Sequence, residues 1–422
     1  TGGVIAMAAS PGYNPNLLTG SKRRKTIGRL LLDTARPLYN RAIKGQYPPG
    51  STFKPLGALI ALDEGLITPN YGYNCFGSYG ACGDPRKCEH HNAGHGANLQ
   101  LALAYSCNSY FLQVFRMAID NPQYGSAKNG YLKWKEYINS FGFGRQLGID
   151  LPSENKANIP DTAAYNKDFG NPKYWNSCYM LTLGIGQDRM TATPLQLANS
   201  MALIANDGFY YTPHFVDSIE EEDQEDKIEL AKFRTKQGVT KISSDIFKVI
   251  KEGMHDVTVY GTAASVKLPG HEYCAKTGTA QNPHGENHSI FVCFAPKDNP
   301  RVAVAVVVEN AGYGATWAGP ISTLLMEKYL NDTLTAESEK KAEDLAKVDL
   351  MPQSIKDWYV KNKTIPLSPF EEYKNDELGE VWDMEMVSDY KPKPKVIDTI
   401  NKVIDTAENK SGEGKQVTNA IK

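Results

Sequence analysis

The sequence has no long apolar run. Its strongest, Val302–Val308 (VAVAVVV), is seven residues, too short to span a bilayer as a helix. It has almost no charge imbalance: 46 basic against 48 acidic residues give a net charge of -2, which excludes a strongly basic nucleic-acid binder. The opening residues do not read as a signal peptide. It begins in TGGVIAMAAS, which reads as a strand of a fold already under way, so the expectation is a soluble piece of a longer protein. Cysteine is scarce. The seven residues Cys75, Cys82, Cys88, Cys107, Cys178, Cys274 and Cys293 are an odd number, which excludes complete internal pairing. No internal repeat is present.

What remains is a chain of 422 residues, 41% hydrophobic, long enough for one large core and a soft expectation of two to three domains. Residues 4–9 (VIAMAA) run into Ser10-Pro11-Gly12 as a strand entering a turn, and residues 11–50 read as a connecting lobe. A helix is expected from Ser51, with Phe53, Leu56, Leu59, Ile60 and Leu62 on its apolar face and Gly65 as its left-handed cap. Pro55 is tolerated there only because first-turn N–H groups lack partners.

Two helical stretches are expected within 99–140 and another over 194–206. Residues 273–279, 289–295 and 302–308 read as three strands, the last two a hairpin, followed by a helix over 324–330. The acidic run 219–229 reads as a solvated loop. Beyond Asn331 the composition shifts: 19 acidic and 14 basic side chains give that segment a net -5. It is expected to be a charged C-terminal extension, 332–422, ordered only in part around its aromatic residues.

Three short motifs carry chemistry. In Ser51-Thr52-Phe53-Lys54, serine and lysine share one face of a helix start, their Cβ atoms ~5–6 Å apart. A hydroxyl needs a neighbouring base, and lysine serves only when neutral, so the helix dipole and a second cation must lower its pKa. Alone, the motif is usually an N-cap and a solvated charge. Ser106-Cys107-Asn108 places a hydroxyl and a carboxamide where they could relay a proton and hold a substrate amide, although both are ordinary loop residues. In Lys276-Thr277-Gly278-Thr279, alternation puts Lys276 and Gly278 on one side of a strand and the threonines on the other. Gly278 would admit a ligand close to the backbone, and the threonines could bind a carboxylate.

In this order, with separations of 55 and 170 residues between the first residues of successive motifs, the set resembles the signature of penicillin-binding proteins and serine β-lactamases. GQYPPGSTFKPL, LGIGQDRMTATPLQLANSMALIANDG, GTAASV and KTGTAQN are similar to class B, elongation-type penicillin-binding proteins over residues 1–330. The resemblance implies an α/β fold: a penicillin-binding transpeptidase or serine β-lactamase-like sandwich. Its antiparallel sheet is flanked by helices, in a domain over 1–331 with a helical subdomain over roughly 51–240.

The resemblance also implies roles. Ser51 is the acylated nucleophile and Lys54 its base, Ser106 the proton shuttle and Asn108 the amide anchor. Lys276 supplies the field that keeps Lys54 neutral, Thr277, Gly278 and Thr279 bind the terminal carboxylate, and the Ser51 and Thr279 amides form the oxyanion hole. The implied reaction is D,D-transpeptidation of peptidoglycan stem peptides, trapped by β-lactam antibiotics, with no catalytic cofactor. The implied setting is the periplasmic face of a bacterial inner membrane, reached through a segment outside this chain, beside a SEDS-type glycan polymerase and the elongation machinery. A β-lactamase, a D,D-carboxypeptidase and a penicillin-sensing receptor domain are the rivals. No Glu-x-x-Leu-Asn segment between Ser106 and Lys276 offers a deacylating base.

Uniform scatter of the chain's cysteines and histidines puts fewer than one in the 21 residues Cys75 to His95, yet six fall there. Within an insertion at 72–97, Cys75, Cys82, Cys88 and His90 form the candidate metal set for a structural zinc, with His91 and His95 as alternatives. A disulfide is the competing reading. Cys107, Cys178, Cys274 and Cys293 read as small buried hydrophobes, and His284 and His288 as structural.

Overall fold

The computed structural model describes residues 1–362 apart from 90–93, 172–173, 221–222, 239–240 and 283–284. Among them Thr1–Ser10 and Arg36–Pro352 form one compact unit. Pro11–Ala35 and the helix from Gln353 belong to a second.

Thirteen helices are described: α1 (Arg23–Leu32), α2 (Arg41–Lys44), α3 (Lys54–Asp63), α4 (Leu99–Ala104), α5 (Asn108–Ile119), α6 (Ala127–Ser140), α7 (Thr162–Phe169), α8 (Pro194–Ala205), α9 (Gln224–Arg234), α10 (Ser244–Val259), α11 (Ala318–Asn331), α12 (Ala336–Ala346) and α13 (Gln353–Lys361). Two small antiparallel pairs join β1 (Ser78–Tyr79) to β2 (Arg86–Lys87) and β3 (Phe209–Tyr211) to β4 (Lys236–Gly238). The main sheet is antiparallel in the order β5 (Cys274–Ala280), β6 (His288–Ala295), β7 (Val302–Val308).

Alternation explains why these strands read as nearly continuous apolar runs. Ile290, Val292 and Phe294 join the large helical core with Leu56, Phe111 and Leu197. Phe291, Cys293 and Ala295 pack on the other face with Ala318 and Met326 of α11. Both faces are covered, so both registers must be apolar. The register pairs Lys276 with Val292 and Gly278 with Ile290, which turns both toward the helical core.

Three expectations change. Residues 4–9 form no strand: Val4 donates to the His214 carbonyl, leaving one parallel bridge at Gly3 and no ladder. The 99–140 region holds three helices, because Ser126 caps α6 separately. The acidic run enters α9, whose capping box of Asp223 and Asp226 satisfies its first N–H groups. The segment after Asn331 begins with α12, where Ser338 Oγ donates to buried Glu327 at 2.5 Å.

Candidate active site

Gly50–Phe53 is a single 3₁₀ turn leading into α3. Gly50 has φ 57, and a Cβ there would sit 2.9 Å from the Thr279 carbonyl oxygen. Its N–H donates to the Gly186 carbonyl at 2.8 Å, and Gln187 Nε2 donates to Thr279 O at 3.3 Å. The turn that carries Ser51 is therefore clamped between β5 and residues 186–187. Gly278 is required by the same clamp: a Cβ would lie 2.7 Å from Thr52 Cγ2 and 3.1 Å from the Pro49 carbonyl. A close approach at Gly278 is made by the chain itself.

Both halves of the commonplace reading of Ser-x-x-Lys fail. No side chain caps either helix start, and Lys54 is fully buried. Its Nζ donates to Ser106 O at 2.7 Å, Ser106 Oγ at 3.0 Å and Asn108 Oδ1 at 2.7 Å. Ser106 presents its carbonyl and hydroxyl together from a left-handed conformation, φ 55, uncommon outside glycine. Burial lowers the Lys54 pKa to about 8, while Cys88 and Cys107 pull the other way.

Lys276 is also fully buried, and burial followed by the charge of Lys54 depresses its pKa strongly. Burial is the main influence on Lys54, and a charge on either lysine disfavours a charge on the other. The motifs thus meet as a desolvated pair of lysines, with three oxygen acceptors on Lys54.

Sequence reasoning missed Thr262. Its Oγ1 lies 2.7 Å from Thr277 Oγ1, and its N–H donates to the Ala104 carbonyl at 3.0 Å. The preceding Gly261 permits this, since a Cβ there would meet Ala104 O at 2.3 Å. Thr262 therefore bridges the third motif and the helix before the second. GTAASV carried the signal, without showing its partner.

The cysteines sort in an unexpected way. Cys75, Cys88, His95 and Cys107 are buried, with their ligand atoms all within 4.8 Å of one another. Cys75 and Cys88 meet as expected, and His95 was among the alternatives. Cys82 does not join them: it forms a disulfide with Cys178 across a sequence separation of 96. Cys107 and Cys178 are accordingly not inert hydrophobes. His90 and His91 lie outside the described residues, as does His284, while His288 Nδ1 accepts from Asn310 N–H at 3.2 Å.

Three thiols and an imidazole at this spacing fit a closed tetrahedral zinc site, whose sulfurs stand roughly 3.8 Å apart when Zn–S is ~2.3 Å. The cluster grips the second motif. Cys107 is its middle residue, Cys88 Sγ accepts from Asn108 N–H at 3.3 Å, and Asn108 Nδ2 donates to Lys87 O at 3.0 Å.

A buried Ser-x-x-Lys lysine held by a Ser-x-Asn loop and facing a Lys-Thr-Gly strand is a penicillin-binding protein site. Residues 1–327 match the penicillin binding protein transpeptidase domain, and the chain belongs to that family. Within it, the chain is 32% identical over 375 residues to the peptidoglycan D,D-transpeptidase MrdA of Haemophilus influenzae, covering 83% of this chain and 54% of that protein. MrdA of Escherichia coli K12 is 32% identical over 365 residues, covering 80% and 53% respectively. The chain thus spans about half the length of these curated relatives.

The structure of Pseudomonas aeruginosa PBP2 in complex with WCK 5153 superposes with a TM-score of 0.67 at 31% identity, covering 80% of this chain and 71% of that one. Helicobacter pylori PBP2 in complex with MreC gives a TM-score of 0.64 at 25% identity, covering 77% and 57%. Among the described residues no helix is long and apolar enough to cross a membrane.

Proposed function

We infer that the chain is the catalytic part of an elongation-type peptidoglycan D,D-transpeptidase. The observation that carries this reading is the Lys54 ammonium buried among Ser106 O, Ser106 Oγ and Asn108 Oδ1. In its neutral form Lys54 accepts the proton of Ser51 Oγ as that oxygen attacks the penultimate D-alanine carbonyl of a stem peptide. The Oγ–C bond forms, and the developing oxyanion is held by the amides of Ser51 and Thr279. Each such donor is typically worth about 3–4 kcal/mol. The C–N bond then breaks, and Ser106 relays a proton to the departing D-alanine amine.

Asn108 holds the substrate amide, and Thr277 with Thr279 grips the terminal carboxylate. An amine from a second stem attacks the ester, forming the cross-link and restoring Ser51. A β-lactam follows the first half of this route and deacylates slowly.

Cys75, Cys88, His95 and Cys107 would hold a structural zinc, which supplies cross-linking of the insertion and no part of the reaction. The whole protein acts at the periplasmic face of the inner membrane, beside a SEDS-type glycan polymerase and scaffold proteins of elongation. The relatives solved with MreC and as a peptidoglycan synthase complex support that setting.

The test is incubation with a stem peptide ending in D-alanyl-D-alanine, with and without an acceptor amine. Stoichiometric release of D-alanine with a cross-linked product is expected. Release with hydrolysis alone would instead indicate a carboxypeptidase.

A further inference from the structure

Helix α1 displays a basic outer face. Residues 22–25 read Lys-Arg-Arg-Lys, and residues 11–35 carry five basic side chains against one acidic. Thr26, Arg29 and Leu30 are buried, whereas Arg23, Arg24, Lys25 and Leu31 are exposed, Leu31 at 70%. Arg24 and Leu31, seven residues apart, lie on one stripe of the helix. An apolar side chain open to water beside a block of like charges is an unpartnered surface.

The end of α1 is tied to α13: Tyr359 Oη lies 2.9 Å from both carboxylate oxygens of Asp33, one residue beyond α1. The chain that follows α13 therefore starts within reach of the C-terminal end of α1. Its residues 371–389 contain eight acidic side chains and one lysine, interleaved with Tyr373, Leu378, Val381 and Trp382. The nine residues from 362 to 371 can reach roughly 30 Å, about twice the length of a ten-residue helix.

We propose that residues 371–389 of this chain dock on the outer face of α1, their carboxylates against Arg23, Arg24 and Lys25 and their apolar side chains over Leu31. Single exposed pairs contribute little, so the contact depends on several charges acting together and on low salt. Tethering supplies the partner at high effective concentration. A soluble polyanion would satisfy the charges but leave Leu31 uncovered, whereas this segment supplies both chemistries.

Carbodiimide treatment of the full chain, which joins an amine to an adjacent carboxylate with loss of water, tests the contact when the products are mapped by mass spectrometry. Lys25 is expected to link to carboxylates within 371–389. The double variant Arg23→Glu/Arg24→Glu keeps Lys25 and should reduce that link at least tenfold, as should 0.5 M NaCl. A second variant, Asp376→Asn/Glu377→Gln/Glu380→Gln, leaves α1 untouched and should reduce linkage of Lys25 to the remaining carboxylates similarly. Unchanged linkage in these variants, or tail carboxylates linked equally to lysines of the other unit such as Lys248, overturns the proposal. So does sedimentation with phosphatidylglycerol vesicles that requires Arg23 and Arg24 while Lys25 gives no link, because the face then belongs to a bilayer.

Discussion

Two buried polar clusters flank the loop Ser106-Cys107-Asn108, and they are held together by different means. The lysine cluster rests on α3, α5 and β5, elements with full backbone ladders and a shared core. Its ammonium has three oxygen acceptors, so it is satisfied by the protein alone. The thiol cluster rests on two-residue strands and a polar insertion, and its contacts are weak sulfur hydrogen bonds such as Cys75 Sγ to Ser109 Oγ at 3.1 Å. A packed core can order the first cluster. If the second holds the proposed zinc, that cation and the Cys82–Cys178 cross-link would together brace the loop that presents Ser106 and Asn108 to Lys54.

The largest effect should come from Lys54→Met. Loss of the base should slow acylation by a penicillin about 10³–10⁴-fold, measured by stopped-flow or intact mass, while zinc content stays unchanged. Next in size, Cys82→Ser should lower unfolding stability by about 2–4 kcal/mol in denaturant titrations, because the lost cross-link closes a long loop. Metal content should survive this change, since Cys82 lies outside the four-residue cluster.

Cys88→Ser should abolish stoichiometric zinc and slow acylation about 10–100-fold, whereas Cys293→Ala, buried elsewhere, should leave zinc at one per chain. A metal-free wild-type protein with normal acylation would break the comparison.

A smaller effect follows from pH. Lys54 titrates at about 8 and acts as a base only when deprotonated. The acylation rate should therefore rise about tenfold per pH unit up to that value and then level off. The smallest concerns Thr262. Thr262→Val removes one hydrogen bond to Thr277 and should slow acylation about fivefold, with Thr262→Ser restoring it.

The catalytic motifs were legible because their chemistry fixes residue types at fixed offsets, and the apolar strands because both sheet faces are covered. The thiol–imidazole cluster was only half legible. Clustering along the chain exposed Cys75 and Cys88, but Cys107 looked like packing within a catalytic motif, and its neighbours come from 19 and 32 residues upstream. The Cys82–Cys178 pairing joins segments 96 residues apart and left no local trace. The acidic run misled because its charge masked a capping box, Asp223 with Asp226, that favours a helix start. The strand expected at 4–9 failed for want of a second pairing partner: composition marks a strand, but only a neighbour makes one.

The role of Ser51 as a nucleophile served by Lys54 is tested most directly by intact mass after adding a penicillin. One penicilloyl adduct per chain, mapped to Ser51, persisting for hours and absent from Ser51→Ala, is the expected result. Rapid loss of the adduct with turnover of the drug, or an adduct that survives Ser51→Ala, would contradict it.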